Sequence, residues 1–142
     1  MVGKISNLIN LSNVLLTVIL IFILANLFSH KALAIPTFVD SFSISSQESN
    51  PSSVTFNNDG TKMFVLGFTG DDVNEYTLST GFDVSTASFV DSFSVSGQES
   101  SPTGLAFNND GTKMFIIGYS GDDVNEYTLS TGFDVSTASF VD

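Results

Sequence analysis

The chain has 142 residues, four lysines, no arginine, one histidine, no cysteine and fifteen Asp and Glu, for a formal net charge of −11. A surface of that sign repels phosphate backbones, whose binding depends on Lys and Arg neutralising charge, so nucleic acid is excluded as a partner. Without cysteine there is neither disulfide nor thiolate chemistry, and the fold must hold together by burial.

In chain order, residues 1–34 read as an export signal. Lys4 gives a positive start, residues 14–28 form an almost unbroken apolar run, and Ala32-Leu33-Ala34 is a small-x-small cleavage site with Ala32 and Ala34 at its small positions. The run of fifteen residues is shorter than the ~20 that cross a bilayer. Polar Asn10, Ser12 and Asn13 stop it from extending towards the N-terminus. A cleaved signal is therefore expected, with the retained anchor as the alternative, membrane contact only through this segment, and a secreted or periplasmic location. Cleavage leaves residues 35–142, in which two lysines face all fifteen acids, a net −13.

The remainder is a duplication. Residues 38–88 are written out again as 89–139, with forty of fifty-one positions identical, and residues 140–142 repeat the opening Phe-Val-Asp. Repeats of this length are units that cannot bury their own apolar faces and stack on their neighbours. Within the first copy, segments rich in β-branched and aromatic residues at 53–56, 62–68, 73–78 and 88–95 read as strands, the last crossing into the second copy. Asn57-Asn58-Asp59-Gly60 separates the first two, and Asp-Gly can take the positive φ angles of a tight hairpin. Thr69-Gly70-Asp71-Asp72 makes the next turn. The longer connection 79–87 contains Asp83-Val84-Ser85-Thr86, suited to side-chain-to-backbone turn bonding. Met63-Phe64-Val65-Leu66 is apolar on both faces, so its sheet must be covered on both sides. The expected fold class is all-β: two β-propeller blades of four antiparallel strands each, over residues 35–142, preceded by a signal-peptide helix. A β-solenoid is the alternative architecture.

The run Ser101-Pro102-Thr103-Gly104-Leu105-Ala106-Phe107-Asn108-Asn109-Asp110-Gly111-Thr112-Lys113-Met114-Phe115-Ile116 resembles the strand-turn-strand core of bacterial lactonase-type (YVTN-like) propeller repeats. The shared pattern is a small-Pro entry, an apolar strand, an Asp-Gly hairpin, a basic residue and a second apolar strand. The resemblance implies the propeller fold. It leaves function open, because this repeat type occurs in enzymes, scaffolds and binding proteins alike. The Trp-Asp dipeptide of WD-repeat blades is absent, as is tryptophan altogether. Propellers close with four to eight blades, so two blades need either further blades in a longer reading frame or self-association, three copies making a six-blade ring.

Up-and-down strands place the entry loop and the second turn of each blade on one rim. Gln47, Glu48 and Asn50 then lie beside Asp71 and Asp72, and Gln98, Glu99 and Ser101 beside Asp122 and Asp123. Oxygen-only groups of this kind suit a hard cation such as Ca²⁺, so Glu48, Asp71, Asp72, Glu99, Asp122 and Asp123 are the candidate ligand or metal-binding residues. The competing reading is an acidic, solvated turn. Asn57 to Gly60 and its twin lack the Asp-x-Asp-x-Asp-Gly series of a calcium loop and read as hairpins. Tyr76 and Tyr127 read as packed between blades with hydrogen-bonded hydroxyls, and Phe38, Phe42, Phe56, Phe64 and Phe68 as core.

No catalytic residue can be named. His30, the sole histidine, leaves with the signal, and what remains has no imidazole base, thiol nucleophile or guanidinium clamp. The expected function is an exported propeller module with a binding or structural role, its partner an unspecified protein or extracellular ligand. The alternative is the leading part of a metal-dependent lactonase or hydrolase whose catalytic residues lie in other blades.

Overall fold

The computed structural model describes residues 14–19 and 35–142. Residues 14–19 are helical and exposed; the rest of the expected signal segment, with Ala32 and Ala34, lies outside the described residues. No helix among the described residues is long and apolar enough to cross a membrane.

Residues 39–142 form a compact all-β unit. Its strands are β1 (Pro51–Phe56), β2 (Lys62–Gly67), β3 (Asp72–Leu78), β4 (Ala87–Ser94), β5 (Pro102–Phe107), β6 (Lys113–Gly118), β7 (Val124–Leu129) and β8 (Ala138–Phe140). They make two four-stranded antiparallel sheets in simple meander order, β1 to β4 and β5 to β8. These are the two blade-like sheets the repeat implied, and the observed strands lie within two residues of those read from the sequence. Registers match at corresponding positions: Val65 pairs with Asn74 and Ile116 with Asn125. Each first strand carries a bulge just after its proline, at Pro51/Ser53 and at Pro102/Gly104.

The hairpin turns differ in detail from the expectation. Gly60 and Gly111 take positive φ (72° and 71°), but Asp59 and Asp110 do not. The turn closes with Gly60 N–H donating to Asn57 O (3.1 Å) and Asn57 N–H to Lys62 O (3.1 Å). A Cβ on Gly60 would also run into the ring of Phe82. Phe82 itself sits at φ 61°, as Phe133 does at 58°. The glycine is thus required twice, by its backbone and by the ring above it. The 79–87 connection ends in a short 3-10 turn, Val84–Thr86, whose first N–H groups are met by Asp83: Ser85 N–H and Ser85 Oγ both donate to Asp83 Oδ1 (3.1 and 2.7 Å).

The sheets stack, β1 and β2 lying against β5. Phe64, Leu66 and Val73 from the first sheet and Met114, Ile116 and Tyr127 from the second form one buried cluster. The Phe64 ring lies 4.5 Å from that of Phe107. Alternation along β2 explains the division: Phe64 and Leu66 point to this junction, while Met63 and Val65 point the other way, into a second cluster with Tyr76 and Leu78 covered by Phe42 and Ile44. Of the recurring phenylalanines, Phe64 is fully buried and Phe42, Phe56 and Phe68 partly so, but Phe38 is exposed.

Candidate functional site

β1 runs away from the entry loop and β2 returns, so residues 45–50 and 68–71 share a rim, as do 95–101 and 119–122. Phe68 N–H donates to Asn50 O (3.1 Å), and the hydroxyls of Ser49 and Thr69 lie 2.9 Å apart. The second sheet repeats both contacts, through Tyr119 to Ser101 (3.1 Å) and Ser100 to Ser120 (2.9 Å). The structure therefore brings the candidate residues to a common edge.

Their tasks differ. Glu48 and Glu99 are fully buried, yet among the described residues neither has a cation beside it. Their carboxylates accept from backbone instead. Glu48 takes the N–H of Asn50 (2.5 Å) and of Thr69 (3.1 Å). Glu99 takes those of Ser101 (2.6 Å), Ser120 (3.1 Å) and Gly121 (3.2 Å). A carboxylate ringed by N–H donors is a clasp: it ties the entry loop to the second turn and satisfies donors the ladder cannot reach. Burial pushes the Glu99 carboxyl up, but the N–H groups of Ser101, Ser120 and Gly121 together outweigh it and hold the group below the usual carboxylate range. The side chain reaches this position because Gly118 lies beneath it; a Cβ there would strike the Glu99 carboxylate, and Gly67 serves Glu48 in the same way.

Asp71 and Asp122 occupy left-handed turn positions (φ 46° and 55°). Asp72 accepts from Asn74 Nδ2 (2.7 Å) and Asp123 from Asn125 Nδ2 (2.9 Å). Burial raises the Asp72 carboxyl, the nearby Glu48 and Asp71 carboxylates add to this, and the Asn74 amide opposes it. Among the described residues no group of three or more His, Asp or Glu converges in a way that would hold a metal ion. Gln98 has another duty, accepting from Tyr127 Oη (3.3 Å). The expectation of a hydrogen-bonded tyrosine hydroxyl holds there but not at Tyr76, whose buried Oη has no partner among the described residues.

On the opposite rim, Asp59 Oδ1 accepts from the hydroxyl and N–H of Thr61 (2.6 and 3.0 Å). Asp110 and Thr112 repeat the pair (2.6 and 3.0 Å). The threonine hydroxyls, helped by their N–H groups, hold both carboxyls below the usual range. These aspartates brace hairpins.

The arrangement that sequence reasoning missed lies between the sheets. Lys62 Nζ pairs with Glu75 (2.6 Å) and also donates to Phe133 O of the second sheet (2.6 Å), while Val135 N–H donates to the other Glu75 oxygen (3.0 Å). Two shorter-range ties accompany it: Ser52 Oγ to Pro102 O (2.8 Å) and Asn58 Nδ2 to Asn109 O (2.6 Å). One signal was available. A glutamate in the middle of Val73-Asn74-Glu75-Tyr76 is buried on a packed strand and demands a partner, and Lys62 is the sole cation of its repeat.

No protein-family model matches the chain, and comparison with the curated proteins and with the solved structures finds no match.

Proposed function

We propose that this chain is an exported β-propeller module with a binding or structural role. The supporting observation is where its charged groups are spent. Glu48 and Glu99 clasp loops, Asp59 and Asp110 brace hairpins, Asp83 and Asp134 cap 3-10 turns, and Lys62 with Glu75 bolts one sheet to the next. These carboxylates are thereby committed to the frame, which leaves Asp71, Asp72, Asp122 and Asp123 as the acids of the rim. What the rims offer a partner is hydroxyl, amide and carboxylate: Ser45, Ser46, Ser49, Thr69, Ser96, Ser100 and Ser120 with exposed Asp122 and Asp123 on one, Asn58 and Asn109 on the other. Stacked, near-identical sheets joined edge loop to edge loop are what a propeller blade series requires, and the signal-like start fits delivery outside the cytoplasm.

The test has two parts. The full chain fused to a reporter that matures only outside the cytoplasm should yield active reporter, and truncation of residues 1–34 should abolish it. The purified chain, offered simple lactones and carboxylic esters with and without millimolar calcium, should turn over none, and calcium should leave its melting temperature unchanged, since a cation held only by the folded state must raise it. Calcium-dependent hydrolysis would replace this reading with the enzymatic one.

A further inference from the structure

The junction between the two sheets states what each of their outer faces is built to meet. Every residue of that junction has a counterpart fifty-one positions away. Moving the first sheet's half forward by one repeat places Phe115, Ile117 and Val124 on the far side of the second sheet. Moving the second sheet's half back places Met63, Val65 and Tyr76 on the near side of the first.

Burial measures the difference between the used and unused halves on the far side; on the near side Met63, Val65 and Tyr76 are already covered by Phe42 and Ile44. Val73 is 0 % exposed in the junction, and its counterpart Val124 is 59 % exposed; Leu66 is 0 % exposed and its counterpart Ile117 is 48 %. Val124 and Ile117 line an open apolar groove with Leu105, Ala106 and Phe115. The opposite face has its own groove, lined by Ile44, Pro51, Met63, Val65 and Val84. Val84 is only partly buried there, whereas its counterpart Val135 is fully buried in the junction.

The polar half of the junction is waiting on both sides as well. Lys113 and Glu126 already form the ion pair (2.6 Å) that Lys62 and Glu75 form inside. Phe82 O and Val84 N–H on the near face are the counterparts of Phe133 O and Val135 N–H, which receive and meet that pair within the chain. Asn109 and Thr103 stand where Asn58 and Ser52 reach across.

We infer that the far face of the second sheet docks onto the near face of the first sheet of a second copy of this chain, head to tail, reproducing the internal junction. In that contact Lys113 Nζ donates to the second copy's Phe82 O, the second copy's Val84 N–H donates to Glu126, and Val124 and Ile117 pack into the second copy's groove beside Ile44, Pro51 and Val84, over the buried Met63 and Val65. Two like faces lack this complement, because the carbonyl and N–H that meet a Lys–Glu pair lie on the opposite kind of face. The contact is heterologous, so it propagates until the copies close on themselves. This closure rests on the propeller reading of the blades: four to eight blades means rings of two, three or four chains.

The experiment is a mixing test on the full chain, read as mass in solution by light scattering. Wild-type chain should form a discrete particle of two to four copies. Val124→Asp spoils only the far face and Val84→Asp only the near face; each should weaken association by about a hundredfold or more by burying an unpaired carboxylate, and each should keep the wild-type β circular dichroism. Mixed, the two variants should give a one-to-one dimer, because each brings the intact half the other lacks. A wild-type chain that stays monomeric, or a particle that survives Val124→Asp, would overturn the inference. A monomer that is still exported and still turns over no lactone would leave the module reading standing.

Discussion

Replacing Glu99 tests whether a buried carboxylate is a structural clasp. Glu99→Ala removes the acceptor for three N–H groups, those of Ser101, Ser120 and Gly121. Hydrogen bonds to a charged group contribute about 1.5–3 kcal/mol each. Ser120 and Gly121 are exposed and water can replace much of their loss, but Ser101 is half-buried. The expected destabilisation is therefore about 2–4 kcal/mol rather than the full sum. For a unit of this size that lowers the melting temperature by roughly 10–25 °C. Glu99→Gln keeps one acceptor oxygen but turns an NH₂ towards the donors, and should cost less than alanine at pH 7. Acidity supplies the second arm. The folded-state pKa of Glu99 is held down, so its contribution is fully present above the unfolded value of about 4.3 and fades as pH falls through the lower folded value. Urea melts of wild type and Glu99→Ala should thus differ most near neutrality and draw together as pH falls from the unfolded value through the lower folded one. A difference under about 0.5 kcal/mol at pH 7, the range of an ordinary surface substitution, would refute the clasp.

Gly60→Ala should destabilise by about 1–3 kcal/mol from its positive φ alone, and by more from collision with the Phe82 ring; in a Phe82→Ala background the penalty should shrink without vanishing, which a double-mutant cycle in urea measures. Lys62→Met strands Glu75 at 2 % exposure and should cost about 3–5 kcal/mol. Lys113→Met, in a pair of the same length but 47 % and 29 % exposed, should cost under about 1 kcal/mol when both are measured in the Val124→Asp chain. Equal costs would mean that the junction does not set the environment of the Lys62 pair. Burial, helped by the Asp123 and Glu99 carboxylates, pushes the Tyr127 hydroxyl up to about 12. Its contribution is fully present below the unfolded value of about 10 and is lost as pH rises through the folded one. The Tyr76 hydroxyl is raised by burial as well, so tyrosinate absorbance should show late titration whose last part Tyr127→Phe removes.

The strands were legible because each repeat presents the same apolar segments between the same turn residues, and because Met63 to Leu66, greasy on both faces, demanded a cover on both. The state of residues 39–44 was not legible. They match residues 90–95 except for Ile44 in place of Val95, yet the later copy supplies most of β4 while the earlier one is not a strand. Both copies set a phenylalanine edge-on to a tyrosine, Phe42 on Tyr76 at 5.7 Å and Phe93 on Tyr127 at 5.6 Å, but only the later copy pairs with the edge of β3. Strand formation here follows the neighbour, not the local residues. The rim was legible in the same coarse way. Chain direction put Glu48 next to the second turn, but the inward rotation onto backbone N–H groups depends on Gly67 below it, a close approach no spacing rule displays.

A duplicated chain writes each half of an interface twice, and the two kinds of contact respond differently to that freedom. Across the eleven positions where the copies differ, the apolar pieces of the junction exchange one aliphatic for another, Leu66 for Ile117, Val65 for Ile116 and Val54 for Leu105. Packing accepts such swaps because volume is nearly kept. The polar pieces do not vary in chemistry: Lys62 and Lys113, Glu75 and Glu126, Phe82 and Phe133, Val84 and Val135, Asn58 and Asn109 are identical pairs, and Ser52 keeps its hydroxyl as Thr103. A hydrogen bond has a length and an angle to meet, and a carbonyl moved by one residue meets neither. The polar latch therefore fixes the register in which sheet can follow sheet, while the apolar surface supplies the drive to stack. That separation is why the outer faces of this chain carry a specific address and not merely an exposed patch.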